Sequence, residues 1–337
     1  MKRSIKLICG ILLSSLIFAS CGNKSIWNTD LEKAEKLAEK KNMDIMLLFS
    51  GDDWVQGSSE FKQLLESDEV RQAFSENYIF VNEDFSREEL MKIYDADPAK
   101  KPSGKIKKIQ KKYDEMEDLS RTYNVDDCLC VVFITYEGYV LTKIDDTEFF
   151  VTGEDFVGHV NNACLDEMSI NKARVNEVRE SRGAQKLVAI DNLYNATPAE
   201  YQMTLNRFIQ EAVEMDPENE TGLLGLYEFR NAFILANQNG ENGKDVSEPF
   251  IEAVNKGHMT PEMEQEAYYN AAYGMALYGS MDLDKMLDLL NKSYEASPSS
   301  DNAPIVKKTI DTINSAKEMQ EAQKNSSETD LTTETQQ

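Results

Sequence analysis

The sequence predicts an α/β N-terminal domain followed by an all-α, helix-hairpin C-terminal domain. Three observations lead there. Short continuous apolar runs at 44–51 (DIMLLFSG), 78–85 (YIFVNEDF) and 128–144 (CLCVVFITYEGYVLTKI) are spaced by helical patterns, as buried strands in an α/β layer are. After about residue 170 no strand signal remains and helical patterns dominate. Apolar residues make up 41% of the 337, enough to fill the cores of two domains of ordinary size.

The elements follow in order. TDLEKAEKLAEKKN (29–42) spaces Leu31, Ala34, Leu37 and Ala38 on one helical face, with Thr29 or Asp30 as N-cap. The strand 44–51 follows, and SSEFKQLLESDEVRQAFSENY (58–78) reads as one long or two short helices. After the strand 78–85 comes a polar stretch with a helical end, KKIQKKYDEMEDLSRTYN. The run 128–144 splits at Tyr136-Glu137-Gly138 into two strands of a hairpin. GEDFVGHVNNACLDEM (153–168) reads as a capped amphipathic helix. In the helical half, VEMDPENETG (213–222) and YEASPSSDN (294–302) each close a helix with a Pro-containing turn, and ANQNGENGKD (236–245) breaks another. These hairpins resemble tetratricopeptide-type repeats, but Pro217 and Pro298 are not separated by a multiple of 34 residues, so a strict array is not expected. The tail KNSSETDLTTETQQ (324–337) is polar and predicted to be disordered.

The N-terminus reads as an export signal. Lys2, Arg3 and Lys6 precede the apolar stretch ICGILLSSLIFAS, which ends at Cys21. Ala19-Ser20-Cys21 resembles a bacterial lipobox, whose cysteine is acylated, although Phe18 stands where Leu is usual. The expected organisation is a signal peptide at 1–20, a tether at 21–28, an α/β domain at 29–168, a helical domain at 170–323 and the tail. The expected location is the bacterial cell envelope, anchored by lipid on Cys21 and facing the periplasm or the cell surface.

Residue-level patterns sharpen the first domain. Trp27, the helix bearing Ala34, and a strand running into Ser50-Gly51-x-x-Trp54 resemble a secreted thioredoxin-like family with the pattern W…A…FSGSDWCxxC. VNEDFS (81–86) and LSRTYNVDDCLCVVFITYEGYVL resemble later segments of the same family, so the likeness runs over about 26–168. It implies a thioredoxin-like fold, with reactive cysteines at the positions of Val55 and Ser58 and a cis-proline at Leu129. None of the three is present. Valine cannot ionise and a serine cannot exchange with a disulfide. A cis bond before leucine costs about 3 kcal/mol, so trans is expected. The turn is therefore predicted to be a structural joint: Trp54 packs over the end of the sheet and Ser58 or Ser59 caps the next helix.

Other groups that could carry chemistry are few. Cys128 and Cys130 form a C-x-C pair near the degenerate turn, with Cys164 as a third thiol that could resolve it; two same-face buried cysteines in a strand are the plainer reading. Seven lysines in KKPSGKIKKIQKKYDEM (100–116) offer a contact for anionic headgroups or an acidic partner, or form an ordinary solvated face. His159 and His258 lie far apart without metal-ligand spacing, and no metal or cofactor is expected. The common nucleotide and hydrolase motifs are missing. Tyr227, Phe229, Phe233, Tyr268, Tyr269, Tyr273 and Tyr278 are expected mainly in the helical core, some of them lining a peptide groove. A net charge of −24 argues against nucleic acid.

Three readings of function remain. The chain is a lipid-anchored binding or scaffold protein for an envelope partner, with a redox-inactive thioredoxin-like domain. Alternatively it is an atypical thiol-disulfide oxidoreductase or thiol-dependent chaperone using Cys128 and Cys130. In the third reading it is a structural envelope lipoprotein.

Overall fold

A four-stranded mixed sheet organises the first half of the chain. The computed structural model describes residues 25–96 and 100–334, with side chains through 319. The signal peptide and Cys21 lie outside the described residues. Strands β1 (Asp44–Ser50), β2 (Tyr78–Asp84), β3 (Cys130–Ile134) and β4 (Val140–Ile144) stand in the order β2-β1-β3-β4. β1 pairs parallel with β2 and antiparallel with β3, and β4 pairs antiparallel with β3. All seven residues of β1 are buried, which is why its sequence is apolar throughout.

Helices cover both faces. On one side α1 (Leu31–Lys41) and the end of α5 (Gly104–Thr122) pack through Ala34, Ala38 and Leu119 onto Ile45, Leu47, Phe49, Ile79 and Val81. On the other, α2 (Ser58–Leu65), α3 (Asp68–Phe74) and α6 (Gly153–His159) pack through Phe61, Leu65, Phe74 and Phe156 onto Met46, Leu48, Phe80 and Phe133. The short α4 (Arg87–Tyr94) follows β2. The helix–strand order is the one the thioredoxin-like resemblance implies. The stretch 58–78 is two helices because Ser67 caps α3, accepting from Val70 N–H. Asp30 is the N-cap of α1.

Residues 25–28 belong to the fold rather than to the predicted tether. Trp27 is buried and its indole N–H donates to Glu66 at 2.7 Å. Asn28 N–H donates to Phe80 O, and Asn82 N–H donates to Asn28 O, so the segment pairs along β2.

The helical region comprises α7 (Leu165–Glu180), α8 (Gly183–Ala196), α9 (Asn206–Ala212), α10 (Leu224–Glu241), α11 (Glu248–Asn255), α12 (Pro261–Leu277), α13 (Leu283–Ala296) and α14 (Ala303–Glu334). The predicted boundary at 168–170 falls inside α7. α6, a π-helical turn at Val160–Cys164 and α7 run on without a break from Gly153 to Glu180. The backbone also stays helical to Glu334, past the start of the predicted disordered tail; EMQEAQK at 318–324 is rich in good helix formers.

The two halves share packing. Tyr139, the residue just before β4, is 1% exposed and packs with Val175, Leu187, Ile190 and Leu193 of the helical region. Its hydroxyl lies 3.1 Å from Thr197 Oγ1. Glu137 in the hairpin turn accepts two hydrogen bonds from Arg179, at 2.6 and 2.7 Å. Burial alone would raise the Glu137 carboxyl; the Arg179 guanidinium holds it below its ordinary value. Lys172 pairs with buried Asp44 at 2.5 Å. These contacts cross the boundary expected near 170.

Tyr139→Ala should cost about 3–5 kcal/mol, as deletion of a buried aromatic does. Chemical denaturation followed by circular dichroism should show one transition in both proteins, moved to lower denaturant in the variant. A loss under about 1 kcal/mol would mean the halves are only loosely docked.

Candidate functional site

The end of β1 delivers the chain into a turn built almost wholly of internal polar contacts. Gly51 is buried, and a Cβ there would come within 2.6 Å of both Trp54 Nε1 and Val55 Cγ2, so only glycine lets the turn close. Trp54 N–H and Val55 N–H both donate to Gly51 O. Ser58 is fully buried; its Oγ accepts from Gly51 N–H at 3.2 Å and donates to Asp52 Oδ1 at 3.0 Å. Asp52 also pairs with Lys62 at 2.7 Å, and its N–H donates to Asp84 at 2.9 Å. Ser50 Oγ donates to Asn82 at 2.9 Å, tying the end of β1 to β2.

Two expectations about this turn are corrected. Ser58 does not cap α2: the N-cap is Gly57, at φ 83°, with no side-chain cap bond. Ser58 instead stitches the turn to itself. Trp54 is 51% exposed rather than packed over the sheet, and its indole N–H donates to Phe85 O at 2.6 Å. The residue that does the anchoring is Asp53, whose hold on α4 no local sequence pattern marks. Its carboxylate accepts from Glu88 N–H (2.7 Å), Arg87 N–H (2.8 Å) and Ser86 Oγ (2.9 Å), capping α4. Those bonds, the one from Glu88 N–H foremost, hold its carboxyl below the usual range.

Leu129 faces this turn across a shallow cleft of about 470 Å³, lined also by Gln56, Leu64, Phe150 and Val151. No cysteine lines that cleft. Among the described residues every peptide bond is trans, Leu129 included. Leu129 nevertheless has φ 69°, a left-handed conformation unusual for a bulky residue, and its N–H donates to Phe49 O at 2.9 Å.

That conformation breaks the C-x-C geometry. β3 begins at Cys130, so the same-face rule for residues i and i+2 does not reach Cys128. Cys130 is buried under α1 and α5, while Cys164 is buried in the core on the opposite face of the sheet. The sheet separates the two, and Cys164 is not placed to resolve Cys130. All three are free thiols. Burial pushes the Cys128 thiol up to about 11, and raises Cys130 further, with Asp145 adding to it; Cys164 is raised by burial too. A thiol activated for exchange is shifted the other way.

The remaining candidates are dispersed. His159 meets Phe150 edge to face, ring centroids 5.2 Å apart, and His258 Nδ1 lies 3.1 Å from buried Glu228. Among the described residues no group of three His, Cys, Asp or Glu side chains is placed to hold a metal ion. Lysines of the basic run form the outer face of α5, where Lys111 pairs with Glu115 and Lys112 with Glu89. The helical aromatics divide: Tyr227 is fully buried, whereas Tyr273, Tyr278 and Phe233 are exposed.

Comparison with known proteins gives three findings. A family model described as "Uncharacterised protein C-terminal domain" matches residues 223–319, from the start of α10 into α14. An "Uncharacterized protein" of Treponema pallidum (strain Nichols) is 23% identical over 192 residues, 56% of this chain and 63% of that protein. The chain thus matches under two thirds of that relative's length. A solved structure described as "DsbH Oxidoreductase" aligns over 46% of this chain and 94% of its own, at 22% identity and a TM-score of 0.31; a likeness at that level decides nothing about activity.

Ser58→Ala should cost about 1–3 kcal/mol, because it strands the buried Gly51 N–H without an acceptor. Trp54→Ala should cost under about 1 kcal/mol, since half of the ring is already in water. Equilibrium denaturation that reversed this order would refute the clamp. Separately, alkylation of Cys128 by a thiol reagent should be slow at pH 7 and accelerate as pH rises toward about 11; fast labelling at pH 7 would contradict the burial effect.

Proposed function

We propose that the chain is a lipid-anchored bacterial envelope protein whose thioredoxin-like domain binds a protein partner without thiol exchange. The cleft beside the degenerate turn supports this reading most. It keeps the position of a thiol site but is lined by Leu64, Leu129, Phe150 and Val151. Val151 is 83% and the adjacent Phe149 71% exposed, an apolar rim that side chains of an extended partner segment can cover. The opposed placement of Cys130 and Cys164, and the upward shift of all three thiols, weigh against the oxidoreductase alternative. The acyl anchor on Cys21 rests on the sequence, where a charged start and an apolar run lead to Ala19-Ser20-Cys21. The helical region, docked through Tyr139 and Arg179, supplies a second surface in a fixed orientation.

Three measurements separate this reading from its rivals. Insulin reduction by the full chain should equal that of a Cys128→Ser, Cys130→Ser, Cys164→Ser variant; higher turnover by the natural chain would restore the oxidoreductase reading. Cys21→Ala should move the protein out of the membrane fraction, and unchanged partition would refute the anchor. A photo-crosslinker at Gln56 should trap one defined envelope protein, and Val151→Glu should abolish the adduct. Failure to trap any partner there would favour a purely structural lipoprotein.

A further inference from the structure

A second cleft, of about 520 Å³, lies away from the degenerate turn, bordered by α1, α5 and the end of β2. Glu83 lines it from the sheet side. Alternation along β2 sends Ile79 and Val81 into the core beneath α1, and Glu83 points the same way. Only 7% of Glu83 is exposed, yet among the described residues its carboxylate has no hydrogen-bond or ion-pair partner. Its carboxylate oxygens keep some access to the cleft, and burial still penalises their charged form. The cations that could answer it are engaged elsewhere: Lys112 pairs with Glu89 at 2.9 Å and Lys111 with Glu115 at 2.8 Å. Glu35 of α1 borders the same cleft and is half-buried, with its carboxylate turned toward the hairpin at Gly138.

We propose that this cleft binds a linear alkylammonium cation, with Glu83 as its anionic anchor and Leu31, Met116 and Leu119 covering its methylenes. The acid-rich, partly apolar lining fits a cation that carries both N–H donors and a hydrocarbon chain. A bare metal ion fits poorly, because no three metal-ligating side chains converge there among the described residues. The same chemistry is offered by a free polyamine and by a lysine side chain of a partner.

The charges facing Glu83 and Glu35 set the pH dependence. Burial pushes both carboxyls up to about 7. For Glu83, Lys112 opposes the shift while Asp30 and Glu115 add to it; for Glu35, Arg207 and Lys36 oppose it while Glu32 and Glu137 add to it. Folded-state values above the ordinary carboxyl value of 4.5 mean that the folded chain holds its protons longer than the unfolded chain. Their contribution to stability is therefore full below about 4.5 and is lost as pH rises to about 7. The cation binds the ionised form, so its affinity rises over the same upper range.

Calorimetric titration of the full chain in nonionic detergent, at fixed salt, tests this with spermidine and with acetyl-lysine amide as probes. At pH 8, saturable one-to-one binding of either is expected, and whichever binds identifies the source. Binding should weaken at least tenfold in Glu83→Gln and at pH 5.5, and stay unchanged in Asp301→Asn, which removes an exposed acid far along the sequence. Without ligand, Glu83→Gln should melt higher than the natural chain at pH 8. No saturable binding of either probe, equal binding by Glu83→Gln, or no gain in melting temperature would each overturn the proposal.

Discussion

Full burial of β1 is the constraint on which the rest of the first half depends. Seven consecutive buried residues leave the strand no face for water, so the chain must turn out of the sheet with its polar groups satisfied internally. Ser58, Asp52, Asp53 and Asp84 do this within one short segment. The segment is therefore committed. A position whose hydroxyl holds Gly51 N–H and the Asp52 carboxylate cannot also present a free, hydrated nucleophile. The polar joint occupies the position where the resemblance places the second cysteine.

The same sheet decides what the remaining cysteines can do. β3 crosses the middle of the domain and sends alternate side chains into two separate cores. Cys130 and Cys164 end on opposite sides of it. Cys128 escapes that pattern only because Leu129 takes a left-handed conformation and the strand begins after it. At the far end the β3–β4 hairpin runs into the helical region. Tyr139 and the Glu137–Arg179 pair fasten the halves together there, and the helix through residues 153–180 joins them along the chain.

Much of this was legible in the sequence, for physical reasons. Continuous apolar runs mark buried strands, and β1 through β4 fall inside the predicted segments; Tyr136-Glu137-Gly138 marks the hairpin, with Gly138 at φ 87°. What was not legible depends on tertiary partners. Ser58 carries a good capping residue type, but Gly57 takes the cap, and only the fold shows the serine aimed back at Gly51. Asp53 caps a helix more than thirty residues ahead, a pairing no local pattern reveals. The boundary at 168–170 marks the end of the predicted capped helix, while the helix there continues to Glu180. Glu83 gave no signal because it sits between polar Asn82 and Asp84 at the end of a strand; its isolation appears only when α1 and α5 close over it. The closing NEDFS motif did mark the strand whose Asn82 and Asp84 complete the joint.

Restoring the missing thiols tests the central claim most directly. The Val55→Cys, Ser58→Cys double variant should be less stable than the natural chain, since Ser58 Oγ no longer bridges Gly51 and Asp52. Its insulin-reduction rate should stay near background. Native-like stability with efficient turnover would show that the turn is a thiol site merely lacking its sulfurs, and would contradict the structural joint described above.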